Sequence, residues 1–372
     1  MPDNKKHHYV PKFYLKRFSD NEKSINLMNI PKGFTVKDAS LKHQCYSDYL
    51  YGKNPFFEKN LSQIESDFSK LLNDIDTIGT LPPPFSEDHI VMLYMILIQD
   101  GRTQYAANSL KETGDKISSL TGQIYNEYSS YTAAEYSTSL HLTMYPILLD
   151  LNARLVINNT QEEFITSDCP IIKINPFLSF LDEGNYTGLG NVGLIILFPI
   201  SPKKMIILFD SKTYRLGSDS KHIIHIRNSH DVSQINIMQM ASCENNIYYR
   251  KTPSDRHKSR TKSLKFRRLI KANVKKITDC KDSNGNSREI IINYSEPLKC
   301  TPKLTFMSVR KSAKIYKQKI IHSGSLPGKY LRNESLVSEY HRFMEAVNNG
   351  QFEHHEFMKY IDTLNDKLNK SS

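Results

Sequence analysis

The sequence contains no tryptophan, and its five cysteines (Cys45, Cys169, Cys243, Cys280 and Cys300) form no CxxC pair. That scatter argues against a disulfide framework and a structural zinc site, and it points to a reducing cytoplasmic compartment. No apolar run reaches the roughly 18 residues of a membrane helix. No apolar leader of the signal-peptide kind is visible, and no membrane association is expected. A Walker A loop and a Gly-x-Gly-x-x-Gly turn are both missing, so an NTPase or dinucleotide enzyme finds no support. Repeats of solenoid length are missing as well.

Acidic residues are scarce in one segment. Between Lys251 and Arg332 there are 22 Lys and Arg against 5 Asp and Glu, a net of +17 within a chain of net +11, which leaves the remainder at −6. A local basic patch on a mildly acidic globule fits a polyanion such as nucleic acid. The plainer reading is a solvated basic surface. With 372 residues and 39% hydrophobic content, the chain can bury a sizeable core.

The first half reads as helical. "KNPFFEKNLSQIESDFSKLLNDI" has Asn54 as a capping residue, Pro55 at the first helical position, and apolar residues at spacings of three and four. Ser86 is the next N-cap. It opens "DHIVMLYMILIQDGRTQYAANSL", a helix so apolar in its first half that it must be buried. A third helical stretch is expected over 123–150. Short β-branched runs follow: "ARLVIN", "EFITSD", "PIIKI", "GLIILFPI" and "KKMIILFD". "DVSQINIMQMASCE" returns to helical spacing, and "NIYYRK" closes as a strand. The basic segment predicts a hairpin around Asn284-Gly285. Two amphipathic helices end the chain. The expected fold is α+β: a helical N-terminal half packed with a mostly antiparallel sheet, plus a basic β-hairpin and helical C-terminal appendage. The expected divisions are a core at 1–250, the basic segment at 251–332 and the C-terminal helices at 333–372.

Three stretches concentrate chemistry. "KKHHYVPKFYLKRF" brings His7 and His8 to a segment that its aromatics can anchor; on an extended chain the two imidazoles point opposite ways. "IQDGRTQ" puts Gln99 and Arg102 on one helical face, and Gly101 between them hints at a close approach or a kink. An arginine facing a cavity suits phosphate or carboxylate; a salt bridge to Glu65, Asp100 or Asp168 is the structural counterpart. "FITSDCPII" ends a strand at Asp168, a place for a general base or an Asx-type turn. Asn236 and Gln239 share a face of the later helix, where buried amide bonding is the simpler role. "EHHE" (Glu353 to Glu356) lacks the spacing of a two-histidine zinc helix.

Taken in order, "HHYVPKFYLKRF", "IQDGR", "FITSDCPII", "FPISPKKMIILFD" and "INIMQMASCENNIYY" resemble the bacterial family known as domain of unknown function 4238, over about residues 7–250. The resemblance implies an α+β cytosolic protein and carries over no settled activity. The residues themselves suggest a nuclease of a bacterial toxin or phage-defence type, with RNA as a candidate substrate. His7, His8, Arg102 and Asp168 would be catalytic. Gln99, Asn236, Gln239, Arg267, Arg268 and Lys271 would bind substrate, with nucleic acid tracked through 251–332. If a divalent ion such as Mg2+ is needed, Glu65 and Asp168 are the oxygen donors. The alternatives are a non-enzymatic module that binds nucleic acid or protein, and a hydrolase of a small phosphorylated metabolite. A protein partner or a homo-oligomer is compatible with each.

Overall fold

The computed structural model describes residues 5–53, 55–122, 131–181, 186–267, 272–281, 287–294, 296–298, 300–322 and 330–371. The chain opens with β1 (Lys6–His8), α1 (Lys12–Lys16), β2 (Ser24–Asn29), β3 (Thr35–Ser40) and β4 (Tyr46–Asp48). Four helices follow: α2 (Pro55–Ile78), α3 (Glu87–Gly101), α4 (Gln104–Thr121) and α5 (Ala133–Thr143). Then come β5 (Asn152–Asn158), β6 (Thr166–Ser167), β7 (Ile172–Ile174), β8 (Ile195–Ser201), β9 (Lys204–Phe209), β10 (Tyr214–Leu216) and β11 (Ile223–Ile226). The remainder holds α6 (Ser229–Ser242), β12 (Asn246–Tyr249), α7 (Arg256–Leu264), β13 (Asn273–Lys281), β14 (Ser287–Tyr294), β15 (Met307–Val309), α8 (Lys311–His322), α9 (Glu334–Asn348) and α10 (Phe357–Ser371).

A five-stranded sheet, ordered β11-β5-β9-β8-β7, lies at the centre; only the β11–β5 pairing is parallel. Both of its faces are apolar, and the residues alternate between two cores. Ile206 and Leu208 point into one core while Met205, Ile207 and Phe209 point into the other. On β8, Ile196 and Phe198 face the first core, and Ile195 and Leu197 face the second. The first core takes α2, α3, the opening motif and Phe343, Phe357 and Tyr360 of the last two helices. The second takes Val232, Ile235 and Met238 of α6, and it also takes Leu298, Leu304, Ala313 and Ile320 from the basic segment. The arrangement is an α+β fold with helices on both faces of a mostly antiparallel sheet. A second sheet, ordered β3-β2-β12-β6, joins the N-terminal strands to the loop after β5.

The long apolar helix begins as its cap predicts: the Ser86 hydroxyl accepts from the His89 N–H at 3.2 Å. It does not run on to residue 110. The helix ends at Gly101, and Thr103 caps a new one by accepting from the Ala106 N–H. The stretch over 123–150 also differs. Its described part is α5, opened by a capping box between Thr132 and Glu135, and Pro146 then tightens the chain into a short 3-10 turn. Asn54 and the Asn284-Gly285 turn lie outside the described residues. The "EHHE" string lies in the turn that leads into α10, with His354 and His355 exposed. No helix among the described residues is long and apolar enough to cross a membrane.

Candidate functional site

The opening motif folds as its aromatics require. Tyr9, Val10, Tyr14, Leu15 and Phe18 are all buried in the first core. The Tyr14 hydroxyl donates to the Pro199 carbonyl at 2.6 Å, which ties α1 to β8. On β1 the two imidazoles separate. His7 is buried, stacks on Tyr51 and accepts the Tyr51 N–H at its Nδ1. His8 is half-buried, and its Nδ1 faces the Gln44 carbonyl at 3.0 Å, so that nitrogen carries the proton. Burial, with Lys12 and Arg102 nearby, pushes the His8 pKa down to about 4.

That shift predicts a pH dependence. A depressed imidazole pKa means that the unfolded chain binds the proton more tightly. The stability from neutral His8 is present above pH about 6.5 and is lost as pH falls toward 4. Thermal unfolding at pH 7.5 and 4.5 is expected to show a smaller drop in Tm for His8→Gln than for the native chain. Equal drops would refute the assignment.

Arg102 is not a substrate clamp. Its guanidinium is buried and every arm has a partner inside the protein: Nε donates to the Tyr51 hydroxyl, Nη1 to Glu65 at 2.7 Å and Nη2 to the His8 carbonyl at 2.6 Å. Burial opposes the charge, but Tyr51 and Glu65 outweigh it and hold the guanidinium pKa above its usual value. Gln99 likewise donates to the Tyr9 carbonyl. These two side chains fasten the backbone of the opening motif to the end of α3.

Asp168 closes a loop. Its two oxygens accept from the backbone N–H groups of Glu244, Asn245 and Asn246 at 2.7–2.9 Å, which fixes the turn between α6 and β12. Burial raises its pKa to about 6, against the pull of those three donors. Arg267 reaches the same loop by donating to the Glu244 carbonyl. Asn236 spans the Ile165 N–H and the Glu163 carbonyl, and Gln239 donates to Ser167 Oγ and the Cys169 carbonyl. Arg268 and Lys271 lie outside the described residues. Glu65 and Asp168 do not fit a divalent ion: one neutralises Arg102 and the other is saturated by backbone donors. Among the described residues no group of three or more His, Cys, Asp and Glu could hold a metal.

The same motifs build an open cavity one residue away. Asp100, two residues before Arg102 and on the last turn of α3, turns toward Lys173 and His141. Lys173 sits on β7 between Ile172 and Ile174, which point into the second core, so strand alternation sends it to the α3 side. It makes a short ion pair with Asp100, and His141 Nε2 lies 3.5 Å from the same carboxylate oxygen. His141 Nδ1 is 2.7 Å from the Ser137 carbonyl, which can only accept. Burial alone would raise the Asp100 pKa, but Lys173 and His141 overcome it and hold the carboxyl well below the usual range.

Gly101 makes room for this cluster. A Cβ there would fall 2.6 Å from the His141 ring, so the glycine marks a close approach of α5 to α3. The cavity is about 330 Å³ and is also lined by Thr103, Ser109, Thr113, Ser137 and Asn293. Asn293 belongs to β14, so the β13–β14 hairpin of the 251–332 segment forms part of the wall. Lys116 of α4 holds that hairpin in place by donating to the Ala272 carbonyl at 2.5 Å. Asn293 pairs with Val274 across the hairpin, and Lys276, two residues on, shares their face.

A mixed sheet, two helical layers and a polar cavity at the joint of α3, α5 and β7, walled in part by the hairpin of the 251–332 segment, define an α+β protein. The family described as "Protein of unknown function (DUF4238)" matches residues 6–253, and the chain belongs to it. No curated protein and no solved structure matches the chain.

Proposed function

We propose that the chain acts on nucleic acid, as a phosphodiester-cleaving protein whose site is the cavity of Asp100, His141 and Lys173. The observation that carries this reading is the wall: the hairpin of the 251–332 segment borders a cavity where a lysine and an imidazole share a carboxylate. A nucleic-acid backbone drawn along the basic surface would meet the cluster at that rim. Lys173 then neutralises charge on the phosphate, His141 exchanges a proton with the departing oxygen, and Asp100 positions both. The bond from phosphorus to one nucleoside oxygen breaks, and a bond to water or to a ribose 2′-hydroxyl forms. RNA as the preferred substrate, a toxin or phage-defence setting and a cytoplasmic place of action belong to the same reading; the four described cysteines are all buried, and their scatter along the chain suits a reducing compartment.

The test is incubation with labelled RNA, single-stranded DNA and duplex DNA, with and without EDTA. The native chain is expected to cleave at least one of them. His141→Asn and Lys173→Met, checked for native Tm, are expected to lose activity by about 100-fold or more. Full cleavage by both variants would overturn the site. Salt-sensitive binding with no cleavage by the native chain would establish the binding module instead, with the cluster serving to pin β7 to α3.

A further inference from the structure

A second cavity opens at the other end of α3. It measures about 490 Å³ and lies between residues 81–85, the start of β5 and the approach to β11. His89, near the start of α3, reaches it; at 1.5 Å per residue this is about 16 Å along the helix from Asp100. Arg154 of β5 lines it, and so do Lys221 and His222. Among the described residues, the lining carries one acidic residue, Asp150. Both its oxygens accept from Arg332 at 2.6–2.9 Å.

Arg154 is the unusual group. Its Nη1 donates to the Ala153 carbonyl, its guanidinium sits 5.6 Å from the centre of the Phe209 ring, and its Nε is buried with no hydrogen-bond partner. No carboxylate among the described residues pairs with it, in a protein where buried arginines 102 and 332 each hold one. A half-buried guanidinium with no carboxylate counter-ion is matched by an anion from outside. The opposite wall is apolar: residues 82–84 are three prolines, and Phe85 stands 59% exposed at the mouth. Phe85 is held there at φ +66°, a strained backbone for an aromatic residue. His89 Nδ1 accepts the Phe85 N–H, which fixes the turn and leaves the His89 proton on Nε2.

From this pairing of an unmatched cation with a flat apolar ledge, we infer that the cavity binds a nucleoside monophosphate, phosphate on Arg154 and base against Phe85. The volume is in the usual range for a ligand of that size. The site is separate from the Asp100 cluster and stands whether or not that cluster cleaves nucleic acid.

Equilibrium dialysis with the full chain and each of the four common ribonucleoside monophosphates tests it, with inorganic phosphate and adenosine as controls. At least one monophosphate is expected to bind saturably at one site per chain, more tightly than either control. Arg154→Met is expected to weaken it about tenfold or more, Phe85→Ala several-fold, and His141→Asn not at all. Phe85 is exposed, so its variant keeps the test open if Arg154→Met misfolds. Failure of all four to bind, or binding lost in His141→Asn and kept in Arg154→Met and Phe85→Ala, would overturn the inference.

Discussion

Arg102→Ala is expected to destabilise the protein by about 3–5 kcal/mol, the largest loss of any single change considered. The substitution removes a cation that holds three separate groups. Glu65 is left as a half-buried carboxylate without its partner, and the Tyr51 hydroxyl and His8 carbonyl lose their donor. It also opens a space beneath a side chain that is 2% exposed. Lysine would not restore the site, because one ammonium cannot reach acceptors set around a planar fork. Urea unfolding of Arg102→Ala and Arg102→Lys measures the effect. A loss under about 1 kcal/mol, together with abolished cleavage, would return Arg102 to a direct role in the reaction.

Asp168→Ala is the second large effect, at about 2–4 kcal/mol. Three backbone N–H groups lose their acceptor at once, each at about 1–3 kcal/mol if left dry, and the partly buried loop admits water that recovers some of it. Asp168→Asn keeps one acceptor oxygen and is expected to lose less. Hydrogen exchange locates the damage. The amides of residues 244–246 are expected to lose protection while β8 and β9 keep theirs. Unchanged protection in the loop would show that Asp168 is held for another purpose.

Both predictions concern residues that the sequence marks as chemical and the structure uses as fasteners. The motif patterns were legible because they join distant parts of the chain: "HHYVPKF" is clamped by Gln99 and Arg102, and "TSD" is tied to the loop after α6. What a linear reading cannot supply is which way each side chain turns. Asp100 and Arg102 are two apart near the end of one helix; one faces the open cavity and the other the closed interior. The true neighbours of Asp100 come from α5 and β7, far along the chain. One signal was read: Gly101 in an apolar helix hinted at a close approach or a kink, and the His141 ring is what comes close. A second went unread, Lys173 interrupting a run of isoleucines. The helix ends were legible where a cap is present, as at Ser86. The break at residue 102 was not, because Thr103 acts as a cap inside a continuous helical pattern.

The two-sided core has a further consequence for the hairpin of β8 and β9. Where one face meets water, a slip of one residue is penalised by exposing oil and burying charge. Here both faces are oily, and sliding Ile-Ile-Leu-Phe past Met-Ile-Ile-Leu would exchange one aliphatic residue for another. Polarity therefore does little to choose the alignment. The corner must choose it: the strand pairing shifts between Pro199 and Ser201, and the Ser201 hydroxyl accepts from the N–H groups of Lys203 and Lys204. A few polar atoms at the tip thus set the alignment of the most apolar part of the molecule. Errors in this sheet should arise from damage to that tip far more readily than from conservative changes along the strands.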